Sequence, residues 1–403
     1  MSTSRSSPCT FWRAVAVLAI GSFVTTLNLT ILSPLLTGIA TTFNTTEATT
    51  GQLATISSIL ATVLAFLVAG SMERFDRRTW LRLQASILLV ATIISALAPS
   101  FGWLIGGRVL AGAGCAVILA NCLTAASDLC PDPADRDRVI GIIVSATTMS
   151  IIVGLPIVAQ IAAHLNWRFG VAVLLLPAGA LLAGTTWLPP QQRTARAVTG
   201  RSRFFASYRP VLGHRRTVSL LVVFMLFGVV YVGWLTYFGA YVEQDFGQGA
   251  NTLSALFLIA GIAELFANNL APWLMRRVAA EQLIVVLTGI FAGSLLVTDV
   301  FIFSNVWALF LTASLISACA AMLYIVCNAL LLDAQPQARD HVMAIASSFG
   351  GGGAALGALI GGLLLQTLGD YASMYRSLGL LLPFAIFCLY LAGSNPTETA
   401  PTP

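Results

Sequence analysis

The chain has 403 residues, of which 57% are hydrophobic and only 9% charged. A water-soluble domain carries about 25% charged residues, so this composition cannot coat a water-facing surface and excludes an ordinary soluble enzyme or binding module. The formal net charge of +5 comes without a basic patch interleaved with stacking aromatics, which argues against a nucleic-acid partner.

A membrane-spanning helix needs about 20 mostly apolar residues. Apolar runs of that kind fall at 14–39, 51–70, 81–98, 102–126, 139–162 and 169–188. A second set falls at 217–240, 251–274, 282–303, 305–331, 342–366 and 374–394. The first run follows Arg13 but is too long for the apolar region of a signal peptide, so it reads as a span. Between the two sets lies a polar stretch, 189–216, which carries arginines from Arg193 to Arg216 and no acid. The pattern predicts an all-α membrane protein with twelve transmembrane helices in two six-helix bundles. Its parts are a cytoplasmic N-terminal tail (1–12), an N-terminal bundle (13–188), a basic cytoplasmic linker (189–216), a C-terminal bundle (217–394) and a cytoplasmic C-terminal tail (395–403). With the N-terminus inside, every arginine falls on the cytoplasmic side except Arg108, within a span, and Arg168 and Arg376, outside. This is the asymmetry that the positive-inside rule requires.

Ionisable groups inside spans are costly and are functional candidates by default. Glu264 lies near the middle of the eighth run and is the first candidate for proton coupling. Its plainer alternative is a carboxyl hydrogen-bonded to a neighbouring helix. Arg108 lies in the outer half of the fourth run, and Asp299 near the outer end of the ninth. Polar and aromatic residues that could line a substrate cavity are Asn28 in the first run and Asn121 in the fourth. The seventh run adds Tyr231, Trp234 and Tyr237 at helical spacing, and the tenth adds Tyr324 and Asn328 on one face. Packing alone is the alternative reading of such a stripe. The three histidines have no partner at metal-ligand spacing, and the glycines from Gly350 to Gly362 have no flanking phosphate-loop sequence, so they read as packing glycines.

Several segments resemble the major facilitator superfamily. The loop Glu73-Arg74-Phe75-Asp76-Arg77-Arg78 looks like that family's G-x-x-x-D-R-x-G-R-[RK] signature, with Glu73 in place of the Asp, Asp76 in place of the second Gly, and the first Gly shifted to Gly70. Arg108-Val109-Leu110-Ala111-Gly112 is similar to the R-x-x-[QA]-G motif of proton-coupled members. Gly154-Leu155-Pro156 resembles the span 5 kink of exporters, and Asn166-Trp167-Arg168-Phe169 resembles the family's G-W-R-x-[FI] exit from that span. The resemblance implies a gating charge network of Glu73, Arg74, Arg77 and Asp128, a kink at Gly154 and Pro156, and a role for Arg108 beside Glu264 in proton coupling.

The function expected from the residues and the resemblance together is proton-coupled efflux of a small amphipathic organic compound (a drug, sugar or metabolite) by alternating access. The protein would be a multi-pass antiporter of the cell inner membrane, of the multidrug or sugar-efflux branch, with both termini cytoplasmic. It would act as a monomer, without a cofactor or metal, driven by the proton gradient; its partners would be the substrate, protons and the lipid bilayer. The alternatives are a proton symporter or facilitator importing a metabolite, and a non-transporting membrane sensor or intramembrane enzyme. No catalytic cluster supports the last of these.

Overall fold

The structure, a computed structural model, describes residues 8–69, 76–130, 132–188, 213–300, 305–335 and 339–393. Among these, twelve helical stretches are long and apolar enough to cross a membrane. They are α1 (Phe11–Thr30), α2 (Glu47–Val68), α3 (Arg77–Ala96), α4 (Phe101–Ala126), α5 (Arg138–His164) and α6 (Trp167–Trp187). The second set is α7 (Arg215–Gln244), α8 (Ala250–Met275), α9 (Ala280–Val297), α10 (Val306–Ala334), α11 (Ile345–Leu368) and α12 (Tyr371–Tyr390). Helix satisfies every backbone donor and acceptor within the segment, as a segment surrounded by hydrocarbon requires. Large apolar side chains such as Leu176, Phe266 and Trp307 stand more than 70% exposed, a placement that suits lipid as solvent rather than water.

The first helix ends sooner than the apolar run predicts. The run reaches 39, but α1 stops at Thr30, a tight turn occupies Ser33–Leu35, and a short second helix runs Leu36–Thr42. Pro34 is the cause, because its nitrogen cannot donate to the carbonyl four residues earlier. A second proline acts in α5, where Pro156 follows a widened turn at Ser150–Gly154. There Leu155 N donates to the Ser150 carbonyl oxygen, five residues earlier, next to a residue that has no N–H to donate.

By its internal packing the chain divides into two compact units. The first comprises residues 1–197 together with 238–261, the end of α7 and the first half of α8. The second comprises 198–237 and 262–403. In the first unit α3 packs along α4 and α6, α2 along α4, and α1 against α4, α5 and α6. In the second unit α9 packs against α10 and α12, and α11 against α10 and α12. The stretch 189–212, which holds most of the predicted linker, lies outside the described residues.

The glycines of α11 show how small residues set helix separation. Gly350, Gly353, Gly357 and Gly361 recur every third or fourth residue, on one face. A Cβ on any of them would press on α7, at Phe224, Met225, Val229 and Tyr237 respectively. Gly352, between them, has open space on its Cβ side.

Candidate functional site

In the second unit, α7 and α10 run antiparallel and meet at two levels. Tyr231 of α7 is half-buried, and its hydroxyl lies beside Glu264 of α8 and Ser317 of α10. Seven residues earlier on α7, Phe224 meets Tyr324, which lies seven residues later on α10, with ring centroids 5.4 Å apart. Seven residues are two helical turns on each helix, so both levels share one face. Trp234, one turn from Tyr231, stacks on it at 6.0 Å and 29°. A mid-span carboxylate, a phenol and an indole thus form one group on two helices, α7 and α8, with Ser317 of α10 beside it. Glu264 and Tyr231 are half-buried and so not sealed into the packing, whereas Trp234 is 2% exposed and lies behind them.

The remaining candidates of this unit hold other positions. Asn328 donates to the Tyr324 carbonyl oxygen at 2.7 Å, and the Tyr324 ring stands 57% exposed. Tyr237 is fully buried, and its hydroxyl donates to the Ala358 carbonyl oxygen at 2.9 Å, which ties α7 to α11. Tyr375 reaches the Trp234 carbonyl oxygen at 3.3 Å.

In the first unit, Arg108 is 4% exposed, and its terminal nitrogens Nη1 and Nη2 donate to Asn28 Oδ1 and to the Asn28 carbonyl oxygen, both at 3.0 Å. That carbonyl belongs to the last turn of α1, one of the four that a helix leaves without an internal donor. A cation there also meets the negative end of the helix dipole. The Asn28 side chain also lies beside the Cys115 sulfur, and Ser57 Oγ donates to the Arg108 carbonyl oxygen at 3.0 Å. An arginine at mid-span costs about 3 kcal/mol even on insertion scales. Two hydrogen bonds from a charged donor, about 1.5–3 kcal/mol each, are enough to offset that. Arg108 Nε is buried with no hydrogen-bond partner.

Asn121, 1% exposed, donates to Gln84 Oε1 at 3.3 Å and joins α4 to α3. Gly154 lies where α5 crosses α1: a Cβ there would sit 2.8 Å from Leu27 Cδ1. The Pro156 carbonyl oxygen accepts from Ser254 Oγ at 3.3 Å. Of the predicted charge network, Glu73 and Arg74 lie outside the described residues, as does the side chain of Asp128; Arg77 opens α3. The side chain of Asp299 also lies outside them.

Sequence reasoning passed over Ser317 and Gln160. Ser317 is one of two serines in an apolar helix, indistinguishable there from a packing residue. Gln160 Nε2 donates to Asn251 Oδ1 at 2.9 Å, Ser254 Oγ at 3.1 Å and the Ala250 carbonyl oxygen at 3.3 Å. Its signal was available as a long amide within an apolar run.

Twelve apolar helices with polar groups turned toward one another define a multi-pass membrane protein of the transporter class. The chain matches the family model of the Major Facilitator Superfamily over residues 18–298 and 283–403, and it belongs to that family. The uncharacterized MFS-type transporter YbcL of Bacillus subtilis (strain 168) is 27% identical over 260 residues, a match that spans 64% of this chain and 64% of that relative's length. The chloramphenicol resistance protein of Streptomyces lividans is 29% identical over 281 residues, 68% of each chain. Among solved structures, a D-xylose-proton symporter superposes with a TM-score of 0.75 at 16% identity, covering 94% of this chain and 97% of its own; that likeness is one of fold. Family and fold are those of transporters and not of enzymes.

Proposed function

We propose that the protein is a secondary active transporter that exports a small amphipathic organic compound in exchange for protons, by alternating access. Glu264 is the group that takes up and releases the proton, and Tyr231, backed by the buried Trp234 ring, presents the aromatic surface on which the substrate lies. The observation that carries this reading is the contact of Glu264 with the Tyr231 hydroxyl beside the stacked Trp234 ring. One carboxylate then serves proton and substrate in turn, and protonation changes what the tyrosine hydroxyl can donate to. Arg108 contributes a fixed positive charge at the last turn of α1. The chloramphenicol resistance protein among the relatives supports a drug-like cargo. The setting proposed is the cell inner membrane, with a monomeric chain, both termini cytoplasmic, and the halves 13–188 and 217–394 joined by the linker 189–216.

The test is substrate-induced proton release in inverted membrane vesicles, with a panel of amphipathic compounds that includes chloramphenicol. A compound that dissipates the imposed pH gradient with the wild type, and not with Glu264→Gln, supports both antiport and the role of the carboxylate. An unchanged response in Glu264→Gln removes that residue from the coupling. A gradient discharged only by metabolites supplied for uptake reverses the direction.

A further inference from the structure

At the start of α1 and α3 and the end of α6, all within the first unit, two arginines converge on one short turn. Arg82 Nε donates to Thr185 Oγ1 at 2.9 Å, and the Arg13 guanidinium carbon lies 5.7 Å from the centroid of the Trp187 ring. Thr185 and Trp187 belong to the tight turn Thr185–Trp187 that finishes α6. The convergence is built into the packing. A Cβ on Gly184 would lie 2.5 Å from Val17 Cγ2, so only glycine lets α6 approach α1 this closely. Arg13 stands one turn before Val17 and is thereby carried over the indole.

Among the described residues no carboxylate pairs with Arg13 or Arg82, and Nη1 and Nη2 of Arg82 have no partner there. Arg13 is exposed and Arg82 half-buried, so the fork of one and the whole guanidinium of the other are reachable. Two tryptophans flank them: Trp12 is 49% exposed and Trp187 50%. Half-exposed tryptophan at the end of a membrane helix belongs at the depth of the lipid headgroups. A guanidinium fork matches two oxygens of a phosphate, which an ammonium cannot do.

We infer that this corner binds the headgroup of an anionic phospholipid, with its phosphate held between Arg13 and Arg82 and its glycerol region lying against Trp12 and Trp187. The occupant is a lipid rather than a free anion because the site opens at a span end between two interfacial tryptophans, where acyl chains continue along the apolar helix faces. Each basic residue at such a surface is worth about a fivefold change in apparent affinity.

The full chain purified in detergent is titrated with phosphatidylglycerol or phosphatidylcholine, and the apparent melting temperature is followed. For the wild type, phosphatidylglycerol is expected to half-saturate its stabilisation at a concentration at least tenfold lower than phosphatidylcholine. The variant Arg13→Gln/Arg82→Gln removes that preference, while Arg138→Gln, an exposed arginine outside the corner, keeps it. Since Arg82→Gln also cuts the Thr185 bond and can weaken folding, Arg13→Gln alone is the second variant, and about a fivefold loss of preference is expected of it. The assignment is overturned if the wild type shows no preference, if the double variant retains it, or if Arg138→Gln loses it equally. Stabilisation by inorganic phosphate equal to that by phosphatidylglycerol overturns the lipid as the occupant.

Discussion

At the scale of single residues, the Arg108–Asn28 pair shows how a membrane chain carries a buried charge that no carboxylate among the described residues neutralises. The guanidinium is 4% exposed and rests on one side-chain oxygen and one helix-end carbonyl. Removing one member of such a pair leaves the other desolvated and unsatisfied, which costs more than removing both. Asn28→Ala is therefore expected to lower stability by about 2–3 kcal/mol, read as a fall in apparent melting temperature in detergent. Arg108→Met combined with Asn28→Leu should recover part of the loss. A double variant that falls by the sum of the two single effects would show that the pair is not the unit that matters. Arg168 works differently. Its Nη1 donates to the Ala96 and Ala98 carbonyl oxygens at 3.2 and 2.6 Å, across the end of α3, and its guanidinium lies 4.7 Å from the centre of the Trp167 ring. This arginine, an exception to the predicted charge asymmetry, serves as a helix-end cap.

At the scale of elements, helix separation is written in the glycines, and the sequence discloses only part of it. The α11 stripe is recognisable as small residues at helical spacing, but which of them touch a partner is not. Gly353 and Gly357 meet the α7 backbone, whereas Gly352 meets nothing. The contrast makes a prediction with an internal control. Gly357→Ala drives its methyl into the Val229 carbonyl oxygen and is expected to cost about 1–3 kcal/mol. Gly352→Ala is expected to be neutral or to stabilise by up to about 1 kcal/mol through helix propensity alone. Equal melting temperatures for the two variants would mean that the close approach of α11 to α7 does not hold. Element positions were legible in the same partial way. The twelve runs are visible because a bilayer demands some 20 apolar residues per span. The end of α1 at Thr30 was missed because Leu32, Leu35 and Leu36 keep the run apolar past Pro34. In the candidate site, Glu264, Tyr231 and Trp234 stand out as an intramembrane acid and two aromatics at helical spacing. Their union with Ser317, and that of Arg108 with Asn28, join residues far apart in sequence, which no local pattern reveals.

At the scale of the whole molecule, the most consequential feature is where residues 238–261 pack. They complete α7 and begin α8, yet they belong to the first unit. Gln160 of α5 makes its three hydrogen bonds to Ala250, Asn251 and Ser254; Gly239 N donates to Ser33 Oγ at 3.2 Å; and Gln244 Nε2 donates to Glu47 Oε1 at 2.6 Å. At about 1 kcal/mol net per hydrogen bond, this set holds a few kcal/mol, the size of gap that separates interconverting conformers of a protein. A contact of that strength is firm enough to hold in one state of the first unit and weak enough to open during a cycle. If transport proceeds by alternating access, these bonds must break once per turnover. Gln160→Cys with Asn251→Cys, joined by a short bifunctional thiol reagent on a cysteine-free background, is therefore expected to stop transport, and a reducible version of the linker to restore it on reduction. Gln160→Ala, which removes the donor of three of these bonds, should expose the buried Ser33 position. The rate at which a membrane-impermeant thiol reagent labels Ser33→Cys is expected to rise by about tenfold or more, as a loss of 1.4 kcal/mol or greater would give. Transport that continues at the wild-type rate through a cross-linked pair would show that 238–261 stays with the first unit throughout, and that the moving boundary lies elsewhere along α7 and α8.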